Sequence, residues 1–282
     1  MTTYIMGIVN VTPDSFSDGG RYVDPDAAIA HGLRLRAEGA HLLDIGGEST
    51  RPGAERIPPS VEQERILPVV HALVEAGAAV SIDTMNASTA LAAVAAGARI
   101  VNDVSGGLAD PDMLAAVAST GADLALSHWR GPSTDMYARA EYDDVVQEVV
   151  HALAERVEAA GGAGIAPARL IVDPGIGFGK KGVQNWEVLH GLPRVVGLGH
   201  RVLVGTSRKR FLTEMLSEDG VDPTEARRDS VTAVTSVLAA QAGAWAVRVH
   251  DVTATRDALR VADHWMRPGA DDAAAARRRE AI

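Results

Sequence analysis

Short apolar runs recur along the chain at Tyr4–Val9, Leu42–Ile45, Ala79–Ile82, Arg99–Val101, Leu124–Leu126, Leu170–Val172, Val202–Val204 and Ala246–Val249. They are continuous rather than alternating, the pattern of strands covered on both faces. Between them lie Ala- and Leu-rich segments whose apolar positions return at helical spacing: Asp26–Glu38, Val61–Ala76, Ala87–Ala96, Pro111–Ser119, Asp143–Ala160, Asn185–Leu189, Glu225–Ala242 and Thr255–Trp265. Gly39, Gly77, Gly97, Gly121 and Gly243 punctuate the ends of these segments, where a left-handed residue closes a helix at little cost. Eight strands alternating with helices predict a closed (β/α)8 TIM barrel, an α/β fold that requires that number. A doubly wound sheet presents the same short runs, so the strand ends decide. Asn10, Asp44, Asp83, Asn102 with Asp103, Ser127 with His128, Asp173, Thr206 with Ser207, and His250 with Asp251 stand at or near them. A polar strand terminator explains any one of these. A barrel explains all eight, because its strand ends meet at one face around a central pocket.

The 282 residues carry no Ser/Gly linker and no shift in composition, which predicts one barrel domain over residues 1–267. After Pro268 the sequence GADDAAAARRREAI loses apolar periodicity, and residues 268–282 are expected to form a disordered tail. Hydrophobic residues at 46% and charged residues at 23% exclude a disordered or fibrous chain. The 27 Lys and Arg against 37 Asp and Glu leave a net charge of −10, which argues against nucleic acid or a membrane surface as partner. The absence of cysteine excludes disulfides, thiolate catalysis and cysteine-based metal sites. The start, MTTYIMGIVN, lacks a basic stretch leading into an apolar one, and no window approaches the roughly 18 apolar residues of a membrane span. A soluble cytoplasmic protein is expected.

Candidate chemistry collects at the strand ends. The polar stretch from Asn10 to Gly20 has the composition of an active-site loop. In Gly46–Gly53, glycines permit close backbone approach, Thr50 supplies a hydroxyl and Arg51 a clamp for an oxyanion. Asp83, Asn102 and Asp173 converging on one mouth suit either a flat heterocycle rich in N–H donors or a divalent cation. The formal GxGxxG at Gly177, Gly179 and Gly182 is set aside as a dinucleotide fingerprint, because the following strand ends at Val-Gly-Thr206 without an acid. Its glycines instead shape a loop that presents Phe178. The basic cluster Ser207-Arg-Lys-Arg-Phe211 follows the seventh strand, beside the usual phosphate site of barrels. There Lys209, Arg248 and His250 form an anion trap, while Arg208 and Arg210 read as a solvated face. His128 reads as a hydrogen-bonded structural histidine. No GxSxG elbow or HExxH spacing is present, so a metal would be a hard ion held by oxygens, which favours Mg²⁺.

Taken together, NVTPDSFSDGG, GGESTRPGA, SIDT, NDVSGG, DPGIGFGK, GTSRKRF and RVHDV occur in this order, each at a strand end. This series resembles dihydropteroate synthase, the pterin-binding enzyme family of folate biosynthesis and target of sulfonamides, over residues 4–265. The resemblance implies a (β/α)8 barrel, a homodimer, and condensation of 6-hydroxymethyl-7,8-dihydropterin diphosphate with p-aminobenzoate to give 7,8-dihydropteroate and pyrophosphate. It implies that Asp83, Asn102 and Asp173 grip the pterin's amino and ring N–H edge and that Lys209 contacts its oxygen side, with Asp83, Asp173 and Lys209 as the catalytic set. Asn10 would bind Mg²⁺ and the diphosphate, which Thr50, Arg248 and His250 also hold. Phe16, Asp18, Arg51 and Phe178 would build the p-aminobenzoate pocket. Arg210 replaces a serine of some relatives near the aminobenzoate carboxylate, a contact that Ser207 or helix-terminal amides would then supply. Two alternatives remain: a pterin-binding methyltransferase working with a corrinoid protein, and a degenerate paralogue that binds without catalysing.

Overall fold

The computed structural model describes residues 3–12, 24–49, 53–132, 137–217 and 221–266. The strands are β1 (Tyr4–Asn10), β2 (Leu42–Gly46), β3 (Val80–Asp83), β4 (Ile100–Asp103), β5 (Asp123–Ser127), β6 (Leu170–Asp173), β7 (Arg201–Val204) and β8 (Ala246–Val249). They pair in parallel in sequence order and close where β1 meets β8, with Tyr4 opposite Ala246. The helices are α1 (Pro25–Glu38), α2 (Pro59–Glu75), α3 (Ala87–Ala95), α4 (Met113–Ala118), α5 (Val145–Gly162), α6 (Gly182–His190), α7 (Leu192–Val196), α8 (Arg210–Leu216), α9 (Glu225–Gln241) and α10 (Val252–Met266). The single-domain (β/α)8 barrel expected from the apolar runs is the fold observed. No helix of the described residues is long and apolar enough to cross a membrane.

Alternation along each strand splits the apolar residues into two cores. Met6, Leu42, Ile100, Ala125, Ile171, Leu203 and Ala246 fill the barrel itself. Their chain neighbours, among them Ile5, Leu43, Val101, Leu124, Leu170, Val172, Val202 and Val247, join the helices in a larger outer core. On α2, Ile66, Val69, Val70 and Leu73 are all buried, spaced i, i+3, i+4 and i+7 as a core-facing helix requires. Burying each such side chain contributes about 1.5–3 kcal/mol. This two-sided demand is why the strands read as unbroken apolar runs.

The same parity, carried upward, sends polar residues inward at the C-terminal mouth. Asp44 lies opposite Ser81, Asp83 opposite Asn102, Ser127 opposite Asp173 and Met6 opposite Arg248. At the other end Arg201 pairs with Asp123 at 2.9 Å and lies 5.0 Å over the Trp245 ring, closing the floor with charge and aromatic surface.

Two differences from the sequence reading matter for the mouth. Several strands reach past their apolar runs to take in the polar residues: Asn10, Asp83, Ser127 and Asp173 are the last residues of β1, β3, β5 and β6, and Asn102 is the last but one of β4. Hydrogen bonding to a neighbour strand continues a strand past its last apolar residue. Two short helices, α7 and α8, were not anticipated. Pro193 opens α7, while Phe211 and Leu212 of α8 are buried, with Phe211 edge-on to Trp186 of α6 at 4.9 Å.

Candidate functional site

The mouth is organised by one arginine. Arg248, at an inward position of β8, donates through Nε to Asp44 at 2.6 Å and through Nη2 to Asp83 at 2.7 Å. Asp44 also accepts from the Asn102 amide at 3.0 Å. A single guanidinium thus joins β8 to β2 and β3, and Asp44 carries the link on to β4. Burial pushes the Asp83 carboxyl up to about 7; Arg248 opposes the shift, while Asp44, Glu62 and Asp103 reinforce it by repulsion. Arg248 is partly buried, its side chain 21% exposed; desolvation opposes its charge, yet Asp44 and Asp83 hold its proton more firmly than in water. The second oxygen of Asp44 has no hydrogen-bond partner among the described residues, and neither has the hydroxyl of Ser81.

Across the mouth, Asp173 and Lys209 form the other half. Burial raises the Asp173 carboxyl; Lys209, the Gly175 N–H at 2.7 Å, Lys180 and Arg248 counter it. Lys209 precedes α8 as its N-cap. Its ammonium donates to the Ile176 carbonyl and sits 4.4 Å from the centre of the Phe178 ring, a cation–π contact. Burial lowers Lys209 to about 8, with Asp173 opposing, Arg248 assisting and Asp83 opposing.

The loop between β6 and α6 owes its path to glycine. At Gly175, with φ of 64°, a Cβ would lie 2.2 Å from the His128 carbonyl oxygen. At Gly177, with φ of 79°, it would lie 2.6 Å from Cδ of Lys209. Beneath the loop Lys180, 1% exposed, reaches the carbonyls of Gly175 and Phe178 at 2.8 and 3.1 Å and Nδ1 of His128 at 2.9 Å. Burial drives Lys180 well below the usual lysine range. Burial, then Lys180 and Arg130, take His128 down to about 2, so its neutral ring accepts from Lys180. His128 is structural, as its sequence context suggested. Tyr142 secures the far end by donating to the Gly179 carbonyl at 2.7 Å.

The chain after β7 corrects one expectation. Arg208 is not a solvated surface cation. It makes a bidentate pair with Asp229 of α9, at 2.8 and 2.9 Å, and a further contact to Glu225 at 3.2 Å. Its φ of 56° is left-handed, which costs a residue bearing a Cβ about 1–2 kcal/mol. Arg210 does lie on the solvent side, with a 74% exposed side chain paired to Glu214. The Ser207 hydroxyl stands 2.8 Å from Nδ1 of His250 and accepts the His250 backbone N–H at 3.1 Å, tying together the ends of β7 and β8.

Of the residues singled out in the sequence, the structure gathers Asp83, Asn102, Asp173, Lys209, Arg248 and Phe178 into one interacting set, with Ser207 and His250 joined beside it. Asn10 ends β1 opposite Gly46 of β2. Phe16, Asp18, Thr50, Arg51 and the tail 268–282 lie outside the described residues. Sequence reasoning passed over Asp44 and Lys180 as site residues; an aspartate inside the apolar run Leu42–Ile45 was the available signal for the first. It also missed the chain Glu48–Arg56–Asn86–Glu62, with successive contacts of 2.7 Å, in which the exposed Arg56 joins three buried polar side chains. The mouth therefore offers carboxylate and amide acceptors for N–H groups beside two partly buried cations, Lys209 and Arg248, for an anion. Among the described residues no cluster of three Asp, Glu or His is arranged to hold a metal ion.

The profile of a family described as pterin binding enzyme matches residues 6–250. The dihydropteroate synthase of Mycobacterium leprae is 52% identical over 267 residues, 94% of each chain. The solved dihydropteroate synthase of Xanthomonas albilineans with 4-aminobenzoic acid superposes with a TM-score of 0.86 at 47% identity, covering 94% of this chain and 93% of that one. The same enzyme in complex with 7,8-dihydropteroate gives 0.83 at 45% identity, covering 94% of both chains.

The two loop glycines separate by what their Cβ would meet. Gly175→Ala drives a methyl into rigid backbone and is expected to destabilise by more than about 3 kcal/mol, whereas Gly177→Ala meets a flexible lysine and is expected to cost about 1 kcal/mol of backbone strain. Urea unfolding followed by circular dichroism measures both; equal losses would refute this account of the loop.

Proposed function

The chain belongs to the family of pterin-binding enzymes, and from that premise we propose how its barrel mouth carries out the dihydropteroate synthase reaction. It condenses 6-hydroxymethyl-7,8-dihydropterin diphosphate with p-aminobenzoate, giving 7,8-dihydropteroate and pyrophosphate. The observation that carries the residue assignment is the convergence of Asp83, Asn102 and Asp173 with Arg248 and Lys209 in one mouth. High identity to relatives named dihydropteroate synthase favours this reading over the methyltransferase and the inactive paralogue.

Asp83, Asn102 and Asp173 take the amino and ring N–H edge of the pterin, and Lys209 its oxygen side. Arg248, His250 and Thr50 hold the diphosphate, with Asn10 beside it. Phe178, Ser207, Phe16, Asp18 and Arg51 receive p-aminobenzoate. The bond between the pterin methylene carbon and the diphosphate oxygen breaks, and its electron pair leaves with the diphosphate. The arylamine lone pair then forms the new C–N bond, and the amine loses a proton to water. Positive charge developing on the pterin methylene is met by the carboxylates of Asp83 and Asp173, fixed in a buried site where such charge is worth most. Negative charge on the departing group is met by Arg248. The neutral arylamine needs placement more than a base.

Mg²⁺ is the proposed companion ion. The donor set fits an ion that arrives with its substrate: the protein's share is the hard amide oxygen of Asn10, and phosphate and water supply the rest. When bound, it neutralises charge on the diphosphate.

A homodimer is proposed through α9 and α10. Val234 and Leu238 of α9 are each 57% exposed, and on α10 Val261 and Trp265 are 67% and 83% exposed. Both pairs are spaced i, i+4, an apolar stripe of the kind that oligomers cover.

Three outcomes test these statements. Pyrophosphate release from the two substrates with Mg²⁺ is expected for the wild type, and Asp83→Asn is expected to lower kcat/KM by about a hundredfold or more; near-normal turnover in that variant defeats the assignment. Because Asp83 must be ionised to accept and Lys209 protonated to donate, kcat/KM for the pterin diphosphate should fall below about pH 7 and again above about pH 8. A profile flat from pH 6 to 9 contradicts those roles. Sedimentation at micromolar concentration should show a dimer that Val261→Glu dissociates, and a monomeric wild type refutes the proposed interface.

A further inference from the structure

Among the described residues Arg208 is the only one other than glycine with a left-handed backbone, and it stands immediately before Lys209. The two belong to a turn in which the Lys209 N–H donates to the Thr206 carbonyl at 3.2 Å. Arg208 is the third residue of that turn, the place where a positive φ is ordinarily given to glycine. Strain of this kind persists only where the surroundings hold it. Here the surroundings are one face of α9. Asp229, buried, grips the guanidinium with both oxygens; Thr232, three residues on, accepts the Arg208 backbone N–H at 3.4 Å; Thr235, three further on, bonds the Thr206 hydroxyl at 2.8 Å. From this turn the Lys209 side chain runs past Gly177 to the Ile176 carbonyl and the Phe178 ring.

We propose that Asp229 is a positioning residue for the pterin site, holding Arg208 in its left-handed turn so that Lys209 is delivered to the mouth. Asp229 touches no substrate. It acts through Arg208, and the inference rests on the reading of Lys209 as a pterin contact. The bidentate pair holds a residue whose Cβ disfavours the left-handed conformation, which glycine takes without a partner.

The test compares two double variants that remove the charge pair equally and differ only in backbone preference: Arg208→Ala/Asp229→Ala and Arg208→Gly/Asp229→Ala. Steady-state kinetics with the pterin diphosphate, p-aminobenzoate and Mg²⁺ are read beside thermal melts of each protein. The alanine pair is expected to raise KM for the pterin diphosphate about tenfold with a smaller change in kcat, and the glycine pair to return KM to within about threefold of the wild type. The single variant Asp229→Asn should resemble the alanine pair. KM for p-aminobenzoate should stay within about twofold throughout. Equal KM values in the two double variants overturn the proposal, because a merely structural role for the salt bridge predicts no rescue by glycine. Absence of turnover in the wild type would instead strike the reading of the reaction, which keeps the two failures apart.

Discussion

Everything at the mouth of this barrel depends on how a few charges are kept inside a protein. Arg248 bridges Asp44 and Asp83 across three strands, and Lys209 faces Asp173. Buried ion pairs are poor stabilisers, since desolvation consumes most of what attraction returns. Their value lies in what they keep ready: carboxylates poised to accept N–H groups and cations poised for an anion, all fixed before a ligand arrives. The rest of the fold serves that arrangement. The two apolar cores hold the strands, strand parity turns the charges inward, and Arg201 with Asp123 seals the opposite end.

A second layer holds the first. Lys180 fastens the β6–α6 loop from below while Lys209 rests on the same loop from above. Ser207 and His250 join β7 to β8, and Arg208 locks the turn between β7 and α8 onto α9. Each device fixes backbone through a side chain of opposite or complementary polarity. Residues that never face the pocket thereby set the geometry of those that do.

Much of this was legible in the chain. Eight apolar runs with polar ends predict the barrel, because burial on both faces leaves a local signature in every strand. Strand-end residues such as Asp83, Asn102 and Asp173 could be placed at the mouth for the same reason. The pairings themselves could not be read. Arg248 and Asp44 are separated by 204 positions, and nothing local in either names the other as its partner. Lys180 was passed over, because only its depth, 1% exposed, reveals its role. Arg208 was misjudged because a left-handed backbone leaves no mark on an arginine. The helix α8 escaped notice because its basic start masks the burial of Phe211 and Leu212.

The closure of β1 on β8 also has a consequence for the order in which a ribosome makes this molecule. Tyr4 pairs with Ala246 and Met6 with Arg248, so the first strand to emerge waits for the last. Until residue 248 leaves the exit tunnel, Asp44 and Asp83 have no guanidinium between them, and bringing the two carboxylates together in a half-made barrel is penalised by their mutual repulsion. Early compaction of the nascent chain therefore falls chiefly on the apolar faces of the βα units. The ion pairs that Arg248 makes at the mouth can form only once β8 has been made.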